Sequence, residues 1–198
     1  MHIAKPTNNN SSDSDFDDIT IVGNGQFNSA GVVAVGLDNT FTNIRMSNVH
    51  SGMLLSAAGF TANCTVENTA KLPGGAGIVC NSGDAWISNC VVIDYETAFK
   101  TYTGFMKQCT AKWTTTEGFT HHTAFDANGK LNTRIIGCRA EFIDNSIPNY
   151  FLRASTGGSG VVISPVFDET LVEANDMTQT YLQTGSAVIA IAPQKKED

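Results

Sequence analysis

The chain is poor in charge, in proline and in the signals of membrane or secreted proteins. Only 16% of its 198 residues are charged, and only 5 are proline. No run approaches the roughly 18 apolar residues of a membrane span. No basic segment followed by an apolar one opens the chain, as it would in a signal peptide. We therefore expect neither membrane insertion nor a secretory signal.

Helical, metal-binding and nucleic-acid-binding patterns are missing too. No segment carries apolar residues at the i, i+3, i+4, i+7 spacing of an amphipathic helix. None of the 5 cysteines belongs to a Cys-x-x-Cys pair or a Cys/His cluster, so we predict no metal and no cofactor. The net charge of −7 argues against a nucleic-acid partner and against anionic membranes.

What the chain does contain is an internal repeat with two columns. The first column is Ile44, Cys64, Cys90, Cys109 and Cys138, with spacings of 20, 26, 19 and 29 residues. The residues directly before it are Asn43, Asn63, Asn89, Gln108 and Gly137. The second column holds a large apolar residue after a small or turn residue, at Val32, Met53, Ile78, Phe99, Phe125, Phe151 and Tyr181.

Two columns that advance together indicate one supersecondary unit per repeat. The units contain short apolar, β-branched segments separated by Gly, Asn, Asp, Ser and Thr, which is typical of strands and turns. Leucine-rich repeats would need a leucine consensus, and helical repeats would need amphipathic helices. The sequence therefore predicts an all-β fold, a parallel β-solenoid whose coils stack about 4.8 Å apart.

The amide row before the cysteines resembles the asparagine ladder of the pectate-lyase-like superfamily of right-handed parallel β-helices. Asparagine suits such a row because it tolerates left-handed backbone geometry. The resemblance implies a right-handed parallel β-helix of about seven coils, and it is nearest to a bacteriophage tailspike or tail fibre module. We divide the chain into a flexible polar lead-in or attachment segment (1–18), the β-helix (19–183), and a terminal strand with a charged tail (184–198).

The two columns are expected to face the interior, and the cysteines to be free thiols that serve as small core residues. Their odd number and the parallel register both argue against disulfides. Reduced thiols indicate assembly in a cytoplasm.

The residues directly after the large apolar column are expected to point outward by strand alternation. They are Val33, Leu54, Val79, Lys100, Asp126, Leu152 and Leu182. We expect an ion pair between Lys100 and Asp126. The stripe Val33, Leu54 and Val79 is expected to form an interface, with a homotrimer as the assembly. Cover by a loop of the same chain, or a bulge that reverses the alternation, is the alternative.

No catalytic residue is assigned. Glycoside hydrolysis needs two carboxylates, for which Asp94, Glu96, Glu117 and Asp126 are candidates, together with Glu141 and Asp144. Elimination needs a base, for which Lys100, His121, His122 or Arg139 could serve. The two histidines are expected to lie solvated in a loop.

The resemblance implies a virion appendage that binds a host surface glycan or serves as a structural component of the particle. Trp86, Tyr102 and Trp113 are the candidate sugar contacts. The expected partners are copies of itself, other virion proteins through residues 1–18, and a host surface polysaccharide. Such a protein would be assembled in the bacterial cytoplasm and located in the virion, or otherwise be extracellular. The alternatives are a polysaccharide depolymerase (a lyase or glycoside hydrolase) and a non-enzymatic cement or adhesin protein.

Overall fold

The computed structural model describes residues 2–3, 14–36, 38–55, 59–81, 85–101, 104–127, 133–143, 146–147, 149–154, 161–164, 182–184 and 189–191. Within these ranges the regular structure is all β-strand, and no helix is long and apolar enough to cross a membrane. In chain order the strands are β1 (His2–Ile3), β2 (Asp15–Asp17), β3 (Thr20–Val22), β4 (Ala30–Ala34), β5 (Asn39–Thr42), β6 (Arg45–Ser47), β7 (Ser51–Leu55), β8 (Gly59–Ala62), β9 (Thr65–Glu67), β10 (Ala76–Cys80), β11 (Ala85–Ser88), β12 (Val91–Ile93), β13 (Thr97–Thr101), β14 (Gly104–Lys107), β15 (Thr110–Lys112), β16 (His122–Ala127), β17 (Thr133–Ile136), β18 (Arg139–Glu141), β19 (Asn149–Ala154), β20 (Val161–Ser164), β21 (Leu182–Thr184) and β22 (Ile189–Ile191).

The strands form three parallel sheets, which we call A, B and C. Sheet A has the order β1-β4-β7-β10-β13-β16-β19-β21, sheet B the order β2-β5-β8-β11-β14-β17-β20-β22, and sheet C the order β3-β6-β9-β12-β15-β18. Each strand pairs with its equivalent one repeat later, so the chain winds as a β-solenoid. This confirms the predicted fold class. The right hand of the winding stays a prediction.

The solenoid has about five full turns, from β4 to β18, fewer than the seven expected. The count from the sequence was higher because the apolar columns continue beyond the last described strand of sheet C. Strands β1, β2 and β3 precede these turns, and β1 and β2 lie within residues 1–18.

The amide row lies at the corner where the chain passes from sheet B to sheet C. Its members share a left-handed backbone, with φ between 50° and 61°. The backbone amide at each corner donates to the next coil, as from Asn63 to the carbonyl of Ser88 at 3.1 Å. Asparagine, glutamine and glycine are found here because few other residues adopt this geometry cheaply. The left-handed corner residues are Asp18, Asn43, Asn63, Asn89, Gln108 and Gly137.

The cysteine column follows the corner and points into the core. Cys64, Cys90, Cys109 and Cys138 are free and fully buried, as predicted. The thiols donate to carbonyls at the end of sheet B, as from Cys90 Sγ to Ser88 O at 3.2 Å. The thiol of the next coil and burial together raise the pKa of Cys64, Cys90 and Cys109 well above the ordinary value. These groups therefore stay protonated.

The inner column of sheet A is buried as expected, except at its end. Val32, Met53, Ile78, Phe99 and Phe125 are all buried. Phe125, however, pairs with Leu152, so Leu152 continues the inner column and Phe151 lies one place earlier, half-buried. Leu182 pairs in register with Leu152. The expected register was therefore wrong by one residue at this end: Leu152 faces inward rather than outward, and Phe151 packs against the core from the preceding place.

The small residues that precede the inner column also face inward, toward sheet C. A side chain at Gly52 would collide with Val66, and one at Gly77 would collide with Val92. The next two coils have alanine in this place, at Ala98 and Ala124, and alanine in sheet C, at Ala111 and Ala140. Residue size is thus matched across the narrow part of the core. Phe151 holds the same place in β19 and packs against Phe125, with 5.2 Å between the ring centroids.

Candidate functional site

The outer face of sheet B carries an aromatic stripe, which we define as Phe60, Trp86 and Phe105. The three residues pair in register on β8, β11 and β14. Phe60 is 38% exposed and Trp86 is 48% exposed, while Phe105 is half-buried. The rings of Trp86 and Phe105 lie 4.5 Å apart between centroids. Aromatic side chains in register on three successive coils form an apolar strip along the outer face of sheet B.

Exposed amides run parallel to the stripe at the corner between sheets B and C. Asn63, Asn89 and Gln108 are exposed and lie three residues after Phe60, Trp86 and Phe105, a distance of about 10 Å along the strand. Carboxamides both donate and accept hydrogen bonds. The face therefore offers ring surfaces beside a row of donors and acceptors, repeated at the spacing of the coils.

Of the two predicted sugar contacts that the structure describes, Trp86 lies on this face and Trp113 does not. Trp113 is instead a core residue with 3% exposure, whose Nε1 donates to the carbonyl of Tyr95 at 2.6 Å. Its ring stacks on Phe142 at 4.8 Å. Tyr102 lies outside the described residues. The contribution of Phe60 and Phe105 was missed, although both hold the same place in the repeat as Trp86.

The corner between sheets C and A is the second place where polar side chains gather. Short corners at 48–50 and 94–96 alternate with longer loops at 23–29, 68–75 and 113–121. The long loops fold over the short corners on either side. His50 Nε2 lies 2.8 Å from the carbonyl of Pro73, for example. Tyr95 Oη donates to the carbonyl of Val49 at 2.9 Å and so joins the two short corners to each other. We call this region the loop corner.

Asp94 and Glu96 hold the long loops to the short corner 94–96. The backbone amide and hydroxyl of Thr114 donate to Asp94, and Lys71 Nζ lies 4.0 Å from it. Glu96 accepts from the amide of Thr120 at 2.7 Å and from the amide of Gly74 at 2.8 Å. Although burial acts to raise the pKa of Glu96, these hydrogen bonds lower it overall. Both carboxylates are buried and bonded, which is a structural role.

The other two candidate carboxylates lie elsewhere. Glu117 is exposed in the loop 113–121, and Asp126 is on the outer side of sheet A. Lys100 Nζ lies 3.7 Å from Asp126, which confirms the expected ion pair. Burial raises the pKa of Asp126, while Lys100 and Arg153 act against this rise. Among these four residues, the structure brings Asp94 and Glu96 to one corner, with both committed to loop contacts.

His122 is buried, contrary to the expected solvated loop position. It begins β16 and is 0% exposed, with its ring 4.9 Å from that of Trp113 and 5.7 Å from that of Phe119. Its Nδ1 lies 2.8 Å from Asn149 Oδ1, and its Nε2 has no hydrogen-bond partner in the described part of the chain. Burial lowers the pKa of His122. His121 next to it is half-exposed.

The apolar stripe expected as an interface lies on the outer side of sheet A. Val33, Leu54 and Val79 pair in register, and Lys100 follows them. Val33 and Leu54 are half-buried, whereas Val79 is only 6% exposed. The accessible part of the stripe is thus narrower than expected.

No cluster of three or more histidine, cysteine, aspartate or glutamate side chains suited to a metal ion occurs within the described ranges. Comparisons with protein-family models, with curated proteins and with solved structures found no match to this chain. The arguments about function therefore depend on the geometry of the outer faces.

Proposed function

We propose that the protein is a glycan-binding module, and that the aromatic stripe of sheet B with its flanking amides is the binding surface. The observation that carries this proposal is the exposed Trp86 ring, paired with Phe105 at 4.5 Å beside the amide row. Large aromatic side chains are rarely left half-exposed on adjacent coils unless they contact a partner.

The chemistry of sugars fits this surface. One face of a pyranose ring is lined by C–H groups and packs on aromatic rings, while its hydroxyls need donors and acceptors at the edge. A solenoid repeats both features at about 4.8 Å along its axis. An extended polysaccharide lying along sheet B would thus contact Phe60, Trp86 and Phe105 in turn.

The candidate carboxylates favour a module that binds glycan without cleaving it. Two of the candidates, Asp94 and Glu96, hold loops in place, and hydrogen bonds lower the pKa of Glu96. A general acid needs a raised pKa and access to the substrate. The depolymerase alternative would need a carboxylate pair that is free to reach a glycosidic bond.

We further propose that this module belongs to a virion appendage of the tailspike or tail fibre type, as a homotrimer attached through residues 1–18. Two features support this proposal. The amide row resembles the asparagine ladder of right-handed parallel β-helices, and Val33 and Leu54 on the outer side of sheet A are only half-buried. The mass of the protein in solution, measured by light scattering, tests the trimer directly. A stable monomer at micromolar concentration would contradict it.

The test of glycan binding is Trp86→Ala against a panel of bacterial surface polysaccharides. We expect affinity to fall by about threefold to tenfold, because an aromatic contact contributes about 0.5–1.5 kcal/mol. Phe27→Ala is the matched control, since Phe27 is also exposed, at 60%, but lies in the loop 23–29. Equal loss in both variants, or no binding by the parent, would contradict the proposal. Release of reducing ends would instead favour the depolymerase.

A further inference from the structure

We infer that the glycan recognised by the aromatic stripe is acidic, and that an anionic group of the glycan binds beside Lys107, at the Phe105 end of the stripe. This inference rests on the proposed function, and it adds the chemical class of the ligand and its orientation on the solenoid.

Charge is distributed unevenly along the outer face of sheet B. Asp15 and Asp17 are exposed on β2, at one end of the sheet. Lys107 is exposed on β14, two residues after Phe105 at the other end of the stripe. Between these ends, the outward residues are all uncharged: Thr40, Thr42, Phe60, Ala62, Trp86 and Ser88. The aromatic stripe therefore runs from an acidic end to a basic end.

Lys107 differs from the other lysines of the described chain because no carboxylate neutralises it. Lys71, Lys100 and Lys112 each lie within 4.0 Å of a carboxylate oxygen, at Asp94, Asp126 and Glu141 respectively. No carboxylate lies within that distance of Lys107 among the described residues. The chain carries 19 acidic residues against 12 basic ones, so an exposed lysine without an acidic neighbour beside an aromatic stripe is informative.

The acidic end makes the orientation specific. Asp17 accepts a hydrogen bond from Asn43 Nδ2 at 2.8 Å, and the hydroxyl of Thr42 also donates to it. These two bonds lower the pKa of Asp17, so its carboxylate stays ionised and repels an anion at that end. Because the protein as a whole carries −7, a polyanion is favoured only where the local charge is positive. An acidic sugar thus meets attraction at Lys107 and repulsion at Asp17.

The experiment compares hyaluronan and alginate with the same polymers after chemical reduction of their carboxyl groups. The parent should bind at least one acidic polymer about twofold to fivefold more tightly than its reduced form, since an exposed charge pair contributes up to roughly 1 kcal/mol. Raising salt from 50 mM to 500 mM should remove the difference, because exposed charges are screened.

Two lysine variants separate the site from the net charge. Lys107→Gln should lose the preference for the acidic polymer, whereas Lys112→Gln should keep it. Lys112 is the matched control because it is exposed in the same coil but lies on sheet C. Both substitutions change the net charge equally. Polyglutamate is included as a polyanion without sugar rings, and it should bind much more weakly than the acidic glycan.

The outcomes distinguish the two proposals. If the reduced polymers bind as well as the acidic ones and Trp86→Ala weakens the binding of both, glycan binding stands and the acidic ligand is wrong. If polyglutamate binds equally and Trp86→Ala has no effect, the face is a nonspecific anion surface and both proposals fail. If neither lysine variant changes the preference, the anionic group does not bind at Lys107.

Discussion

The outer face of sheet B and the loop corner are built from the same kinds of residue, yet they present them in opposite ways. Each region has a tryptophan beside a second aromatic ring. The side chain of Trp86 is 48% exposed to solvent on the outer face of sheet B. Trp113, in contrast, is buried in contact with Phe142, Tyr95 and His122. The difference teaches that residue type alone does not mark a site on a solenoid. Strand parity and the length of the neighbouring loops decide which side chains are accessible.

The two regions should therefore respond differently to substitution. Changes in and under the loop corner should alter stability, while changes on the face of sheet B should alter binding with little effect on stability. Three variants at and beneath the loop corner test this contrast, in order of expected effect.

The largest effect is expected where sheets A and C close beneath the loop corner. Gly77→Ala should destabilise the fold by about 2–3 kcal/mol, because the new methyl group would collide with Val92. Adding Val92→Ala should recover part of this loss, since the next coil pairs Ala98 with Ala111. Urea denaturation of both single variants and the double variant measures the coupling. Purely additive losses would contradict the size matching described above.

A smaller effect is expected at the carboxylate that holds the loops. Glu96→Gln should cost about 1–3 kcal/mol, because charge-assisted bonds to Thr120 and Gly74 are weakened. Glu117→Gln is the control, since Glu117 is exposed in the loop 113–121 to which Glu96 bonds, and its change should stay within about 0.5 kcal/mol. The denaturation midpoints of the two variants test the prediction. Equal midpoints would show that Glu96 contributes no more to stability than the exposed Glu117, which would contradict the prediction.

The smallest effect is a pH dependence from His122. Its pKa is lowered in the folded protein, so the unfolded chain binds more protons between the lowered value and the ordinary one of about 6.5. Stability from this residue is thus complete above that ordinary value and falls as the pH falls below it. Asp94 and Glu96 oppose the shift, and His121 adds to it.

The variant His122→Phe keeps an aromatic ring beside Trp113 and Phe119 but has no group there that can take up a proton. Between pH 5 and 8, the denaturation midpoint of the parent should change more than that of this variant. Parallel pH profiles for the two proteins would show that His122 contributes no linkage. Glu96 titrates at lower pH, since its pKa is also below the ordinary value, so its effect falls outside this interval.

The parts of the fold that repeat in every coil were predictable from the sequence. The cysteine column and its preceding amides encode a left-handed corner and a buried position, and both were placed correctly. The register failed at Phe151, because an aromatic residue there occupies a place that glycine or alanine fills elsewhere. The position of a side chain that departs from the repeat depends on the residues that pack against it, and a periodic sequence pattern does not contain that information.

The loop corner was the part that sequence reasoning missed. His122 and Trp113 were assigned to solvent and to sugar because they lie in or beside a long polar loop. The alternation of short and long spacings in the cysteine column, 20, 26, 19 and 29 residues, was the available signal. It marks coils whose extra residues fold over their neighbours and bury what lies beneath them.

The buried free thiols can report where along its axis the solenoid opens. Each coil from β7 to β18 contributes one thiol to the column, and the coil that begins with β10 adds Cys80; all five thiols are buried in the closed state. In a solenoid each coil contacts only its neighbours, so opening spreads inward from the ends. The order in which Cys138, Cys109, Cys90 and Cys64 become accessible to an alkylating reagent would then give the direction and the extent of fraying, coil by coil, without any added label.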